Sequence, residues 1–387
     1  MATSTVVSGG TTGSCLEGVT AGTIALLALG VSAQAADNYF PIVMPITGFM
    51  SVEGGSQRNG VVMAFEDAGA SVDYPIYDTG TSAAGAATAL DKALSSGDAI
   101  AAAISIFGTE VIAMMPVAEE YEVPMLTISG LAMVTESGNP WMFRFLPNDR
   151  EIKVAHARYV TEELNLSKPA LVGDTTAYGQ GGFALLKENF DKLGVELAFE
   201  DSSIAPDTKD MTPLLTKVKE SGADSIVLHT VAAPMALIIK QARSSGMDLP
   251  IITSSSLVEP TATALFEPAE LANVCAETPS APEARATPEM TAWADAYMKR
   301  FGLEPDGLAL GHYDGVRMAL KLIGDGADTP EKLREAFHNS TYEGIAMTYE
   351  SDGEGDMAHD ADIVCWTGES RVPKIVGHYA GDEMVLN

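Results

Sequence analysis

Between residues 39 and 253 the chain alternates short apolar runs with longer amphipathic ones, and this alternation constrains the fold more than any other feature. A run such as AIAAAI at residues 99–104 has no polar alternation, so as a strand it must be covered on both faces. The pattern predicts strands at residues 39–45, 72–77, 99–104 and 123–128, and helices at 54–68, 82–94 and 109–120. Val61, Val62, Phe65 and Ala68 form the expected inner face of the first helix. The rhythm restarts after residues 141–147. Helices are expected at 152–164, 183–193, 211–220 and 235–245, and strands at 170–173, 195–199, 225–230 and 249–253. Strands threaded singly between helices make parallel sheets with helices on both faces, so the fold class is α/β with two doubly wound sheets in tandem. In such sheets a ligand lies in the crevice beyond the carboxyl ends of the strands.

The tail departs from that rhythm. The segment ETPSAPEARATPEM is rich in Pro and small residues, as a crossing linker would be. Three helices follow, at 289–301, 308–323 and 330–339. The remainder, GIAMTYESDGEGD and then ADIVCWTGES, reads as a hairpin turning at Asp352-Gly353 and Gly355. A helical block between two strand-bearing blocks implies that the chain returns to the first domain and ends on the second.

At the amino terminus, an apolar stretch followed by Ala33-Gln34-Ala35 reads as an export signal over residues 1–36, although no Lys or Arg precedes Arg58. It is too short to span a membrane. The sequence carries 23 Lys plus Arg against 53 Asp plus Glu, a formal net charge of −30. That surface repels phosphate backbones and anionic bilayers, which argues against nucleic-acid partners, and it suits a salty medium. After export Cys275 and Cys365 remain, in LANVC and ADIVC; they are either two buried thiols or one bridge between neighbouring segments.

Signs of catalysis are missing. The first strand runs into PITGFM rather than a glycine-rich dinucleotide loop, and neither a phosphate-binding G-x-x-x-x-G-K-[ST] nor a G-x-S-x-G elbow occurs. The six histidines have no ligand spacing, and DGEGD at 352–356 lacks the ligands of a calcium loop, so it reads as a solvated turn. No cofactor or metal is called for. The informative residues stand at strand exits. Gly108-Thr109-Glu110 offers free N–H groups and a hydroxyl to an anionic group, or Thr109 simply caps its helix. Ser129-Gly130, the DTTAYG run with Tyr178, and Thr253-Ser254-Ser255-Ser256 occupy equivalent places.

At these residues the chain resembles the periplasmic solute-binding proteins of the leucine/isoleucine/valine-binding type, the receptor subunits of ABC importers. The likeness spans nearly the whole mature chain. It rests on PITGFMS (45–51), Gly60, Ala113-Met114-Met115-Pro116, Val123-Pro124, Phe143-Arg144 with Pro147 and Asp149, DTTAYG (174–179), KQARSSG (240–246) and His312-Tyr313-Asp314. The resemblance implies a type I periplasmic-binding-protein fold: two Rossmann-like lobes joined by three crossings, closing on one ligand. The lobes would comprise residues 37–146 with 281–340, and 147–280 with 341–387. By position, Gly108, Thr109, Ser129 and Leu131 fall where the family holds a ligand carboxylate, and Tyr178 where it supplies an aromatic contact.

The departures bear on the ligand. Gly108 stands in place of the family's anchoring Ser, Leu131 in place of a Thr, Val231 in place of a Tyr, and Ser255 or Ser256 in place of the acid that meets an α-ammonium. Because an unpaired buried ammonium is costly, either another acid supplies the charge, with Glu53, Glu259 and Asp314 as candidates, or the ligand carries no such group. The expected function is that of an exported, periplasmic, non-enzymatic receptor that passes an amino acid of the branched-chain class, or a similar polar solute, to an ABC permease. The alternatives are a receptor for a small carboxylate, amide or urea-like solute, and a sensory module of the same fold.

Overall fold

A computed structural model of the chain describes residues 38–380 and the strand Glu383–Val385. The export signal expected at 1–36 lies outside the described residues. The first parallel sheet contains β1 (Ile42–Met44), β2 (Ile76–Asp78), β3 (Ala102–Ile104), β4 (Met125–Thr127) and β5 (Met142–Arg144), in the order β2-β1-β3-β4-β5. Two expected strands are interrupted by proline. Pro41 and Pro75 have no N–H for the ladder, so Asn38–Tyr39 and Val72–Asp73 form a separate two-stranded parallel pair.

Helices α1 (Ser51–Ala68), α2 (Ala83–Ser95) and α3 (Gly108–Tyr121) connect these strands. Successive strand residues point to opposite faces, and the two faces have separate cores. Ile42, Met44, Ala103 and Leu126 pack with Val61 and Phe65 of α1. Val43, Ala102, Ile104 and Met125 pack with Leu90 of α2 and Val111 and Met114 of α3. The expected inner face of α1 needs correcting. Val61, Ala64 and Phe65 are buried, but Val62 is half-buried and Ala68 is exposed in the last turn.

The second sheet follows α4 (Asp149–Arg158), which is prolonged by one π-helical turn over Tyr159–Glu163. Along the chain come β6 (Pro169–Asp174), α5 (Ala177–Lys192), β7 (Phe199–Ile204), α6 (Thr212–Ser221), β8 (Ser225–His229), α7 (Ala232–Ser244), β9 (Ile251–Thr253) and β10 (Val274–Thr278). The strand expected at 195–199 is displaced to β7. This is an edge strand, polar and largely unburied, so it lacks the apolar run that marks its neighbours.

The chain then forms α8 (Pro288–Phe301), α9 (Gly307–Gly324) and α10 (Pro330–His338). Trp293, Tyr297, Leu310, Val316 and Phe337 of these helices share the core of the first sheet with α1. The approach is close. A Cβ on Gly60 of α1 would stand 2.0 Å from the Ala309 carbonyl oxygen of α9, which only glycine permits. Strands β11 (Asp360–Trp366), β12 (Lys374–Ala380) and β13 (Glu383–Val385) complete the second sheet, in the order β13-β12-β11-β10-β9-β8-β6-β7. Its β6 to β10 core is parallel, and β11 to β13 add antiparallel strands.

The hairpin expected around DGEGD is not formed. Thr348–Glu350 pairs back onto Thr341–Glu343, whereas β11 pairs with β10 and β12. The Asp352 carboxylate accepts from the N–H groups of Glu354, Gly355 and Asp356, so the run is a turn, but Asp356 is buried rather than solvated. Among the described residues no group of acidic, His or Cys side chains is disposed to hold a metal ion, and no helix is long and apolar enough to cross a membrane.

Candidate ligand-binding site

A cavity of ≈ 640 Å³, counting its open mouth, lies where the carboxyl ends of the two sheets face one another. Each parallel strand that reaches it contributes a residue at its exit. Met50 and Glu53 follow β1, Phe107 and Gly108 follow β3, Gly130 follows β4, and Asp149 follows β5. From the other side come Tyr178 after β6, Val231 and Ala232 after β8, Ser255, Ser256 and Glu259 after β9, and Glu277 on β10.

Local hydrogen bonds hold these exits. The Gln57 amide donates to the Glu53 carbonyl (3.0 Å) and its oxygen accepts from the Ile106 N–H (2.8 Å), tying α1 to the loop before Gly108. At Gly108 an added Cβ would meet Leu131 Cδ2 at 3.1 Å, so a serine there would press on the end of the Leu131 side chain. On the opposite wall, Asp174 organises two exits at once. One of its oxygens accepts from the Thr176 N–H (2.8 Å) and hydroxyl (2.5 Å), and the other from the Val231 N–H (2.7 Å). Thr176 caps α5 by accepting from the Gly179 N–H, which sets Tyr178 in the first turn. The Tyr178 ring packs on His229 with centroids 4.1 Å apart, and His229 Nε2 donates to the Tyr178 carbonyl at 3.1 Å. Burial keeps that imidazole neutral, with its pKa far below the usual value.

The floor is ionic. Lys153 of α4, wholly enclosed, pairs with Glu277 and lies 3.4 Å from Asp149, while His156 Nδ1 meets the other Glu277 oxygen at 2.8 Å. Burial lowers the affinity of Lys153 for its proton, but the two carboxylates outweigh it and hold its pKa above the lysine range. Burial likewise raises Glu277, yet Lys153 and His156 prevail and its pKa is lowered. For Asp149 burial wins and the pKa is raised.

Of the residues singled out from sequence, Gly108, Tyr178, Val231, Ser255 and Ser256 line the cavity. Thr109, Ser129 and Leu131 stand outside its wall. Thr109 is half-buried one residue further into α3, Ser129 gives its carbonyl to Arg144, and Leu131 packs between Gly108 and Gly181. Two of the three candidate acids, Glu53 and Glu259, line the cavity. Asp314 does not. Its carboxylate accepts from the N–H groups of Ile345 and Ala346 and from the Tyr349 hydroxyl, so it serves the fold. Cys275 and Cys365 are opposite one another in β10 and β11 and are joined as a disulfide.

Sequence reasoning missed the floor. Glu277 is an acid directly after the apolar Val274-Cys275-Ala276, and Asp149, Lys153 and His156 recur on one face of α4; those are the signals that mark it.

Two doubly wound sheets facing across one cavity define a type I periplasmic binding protein. The chain belongs to the periplasmic binding protein family, whose model matches residues 39–370. It is similar to the leucine-, isoleucine-, valine-, threonine- and alanine-binding protein of Pseudomonas aeruginosa, with 25% identity over 336 residues that cover 84% of this chain and 88% of the relative. Among solved structures, the leucine-binding protein LivK of Thermotoga maritima superposes with a TM-score of 0.82 at 21% identity, covering 89% of this chain and 99% of that one. A solute-binding protein of an ABC transporter from R. palustris, in complex with benzoate, superposes with a TM-score of 0.80 at 15% identity, covering 90% and 97%.

Proposed function

We propose that this protein is the extracytoplasmic substrate-binding subunit of an ABC importer, capturing an amino acid of the branched-chain class or a similar small polar solute and delivering it intact to a membrane permease. The observation that carries the reading is the cavity itself, because its wall is shared by strand exits of both sheets. A ligand that touches both halves stabilises the closed arrangement through that double contact, and no general acid or base is required. Apolar Ile106, Phe107, Ile128, Leu146, Ile152 and Leu308 suit an aliphatic side chain. The Gly108 end of α3, Tyr178, Val231, Ser255 and Ser256 are the proposed polar and packing contacts.

The lobes in this reading are residues 37–146 with 281–340, and 147–280 with 341–387. The sharing of one core by α1, α8, α9 and the first sheet supports placing 281–340 with the first lobe, but Tyr349, Met357 and Ala358 share that core as well, which favours moving residues 341–358 to the first lobe. Export is supported by the family and by the leader-like amino terminus. The test is a thermal-shift screen over amino acids, carboxylates, amides and urea-like solutes, followed by small-angle scattering with each hit. A true ligand raises the melting temperature and compacts the particle. A protein that responds to none of these solutes is not such a receptor.

A further inference from the structure

Helix α5 serves two cores. Leu186 and Phe190 pack with Leu171 and Val227 of the second sheet. Its first residue, Ala177, packs instead against the core of the first sheet, where Val111 and Met114 of α3 meet Leu131. One turn further along α5, a Cβ added to Gly181 would stand 2.8 Å from Leu131 Cδ1, and among the described residues no other side chain beyond its own chain neighbours comes within 4 Å of that point. The second methyl of Leu131 lies 3.1 Å from the place of a Cβ on Gly108. One side chain, 6% exposed, therefore fills the gap between a glycine that opens α3 and a glycine on α5.

A second contact joins the same two sides. Arg150, in the first turn of α4, donates from Nε to Glu136 Oε1 (2.5 Å) and from a terminal nitrogen to Oε2 (2.8 Å). Glu136 ends the short helix Met133–Glu136 that follows Leu131, while Ala155 and Ala157 of α4 lie in a core of the second sheet. The pair is partly exposed, so it fixes the register of the contact more than it strengthens it. Leu131, Gly181, Glu136 and Arg150 all stand outside the cavity wall, so these contacts are made by the chain alone, with no cargo between them. Free energy gained only when the two sides meet favours the closed arrangement whether or not a ligand is bound.

We infer that Leu131 is a positioning residue, a latch whose two methyl groups seat between Gly108 and Gly181 and hold the halves together before any cargo arrives. Its effect on affinity rests on the receptor reading above; the latch itself needs no ligand. Leu131 stands where the resemblance places a threonine that meets the ligand, and here its side chain makes a contact between the halves instead. Both glycines are part of the device. Without a Cβ, α3 and α5 approach the leucine to van der Waals distance, and dispersion contacts weaken steeply with any gap. Affinity for a solute held between the halves then rises with the share of molecules already closed.

The test is small-angle scattering of the ligand-free full chain, freed of retained solute by unfolding and refolding, alongside calorimetry with leucine. Wild type gives the compact particle. G181L wedges the gap and L131A empties it, so each raises the radius of gyration. Leucine also suits a helix better than glycine does, so the opening of G181L is not loss of fold. In L131A/G181L the leucine enters the gap from the other side, and the radius of gyration falls back toward that of wild type. A merely structural role for Leu131 would make the double variant worse than either single one. Affinity for leucine falls about tenfold in each single variant, equivalent to about 1.4 kcal/mol, and recovers in the double. A wild type as extended as G181L, or a double variant no more compact than the singles, overturns the latch. No binding of leucine by any of the proteins, with the scattering differences intact, keeps the latch and counts against the receptor reading alone.

Discussion

Arg144 and Asp356, 212 residues apart, form an ion pair in the protein interior: Arg144 Nε donates to Asp356 Oδ1 at 2.7 Å. The same guanidinium donates to the carbonyls of Ser129 (3.2 Å) and Leu131 (2.9 Å) and to the Thr135 hydroxyl, while Asn148 donates to the other Asp356 oxygen at 2.8 Å. The pair thereby ties the end of β5 and the start of α4 to the segment leading into β11, and it steadies the Ser129-Gly130 exit beside the cavity.

Removing one partner strands a buried charge, so D356A should lower stability by about 3–5 kcal/mol in urea unfolding. The double variant R144M/D356L removes both charges but also leaves the Ser129 and Leu131 carbonyls without their donor, so it should recover only part of that loss. A double variant no more stable than D356A would mean that packing, not charge, dominates at this position.

Tyr178 is held in place by the Thr176 cap and His229, so its ring can be removed without unbalancing buried charge. Y178A should weaken ligand binding by roughly 10–100-fold, as expected for losing a buried aromatic contact, and Y178F by much less. Calorimetry that finds Y178A at wild-type affinity rejects it as a ligand contact.

The Cys275–Cys365 bridge closes a loop with a sequence separation of 90. Constraint of the unfolded chain on this scale contributes about 2–4 kcal/mol. Reduction, or the C275A/C365A pair, should lower the melting temperature without changing ligand affinity, because the bridge lies in the sheet and not in the cavity wall. An unchanged melting temperature in reductant would show that the bridge contributes nothing.

Glu283 is buried with both carboxylate oxygens unpartnered, and burial pushes its pKa up to about 8. A folded pKa above the unfolded one favours the neutral form, so its contribution is fully present below the ordinary glutamate range and is lost as pH rises toward 8. E283Q, which cannot ionise, should match the wild type at pH 5 and exceed it in melting temperature at pH 9. Parallel pH profiles for the two proteins would refute this.

Much of the architecture is legible in the sequence because it depends on local patterning. Apolar runs such as 99–104 and Ile226-Val227-Leu228 mark doubly covered strands, and Ser82, Thr176 and Thr329 cap the helices that follow them. The pattern fails where the burden on a residue is not local. β7 is a polar edge strand, and Thr348–Glu350 finds its partner behind it rather than beyond the glycine turn.

The cavity divides the same way. Strand exits are readable, since Gly-Thr, Ser-Gly or Ser-Ser after an apolar strand marks its carboxyl end, and so Gly108, Tyr178, Ser255 and Ser256 are identifiable one at a time, whereas Val231 is marked only by the family resemblance. Glu53, just before the helix predicted at 54–68, and Asp314, within the one predicted at 308–323, are indistinguishable as candidate acids. One faces the cavity and the other accepts backbone N–H groups from the 345–346 loop.

The sequence alone thus determined the class of fold and the strand-end residues, because hydrophobic period and capping act over a few neighbouring positions. Only the tertiary structure decided which charges meet, Lys153 with Glu277 and Arg144 with Asp356, and which acids share the cavity wall, Glu53 and Glu259. Electrostatic partnership depends on distance and burial, and both are set by how the two sheets and their crossings pack, not by separation along the chain.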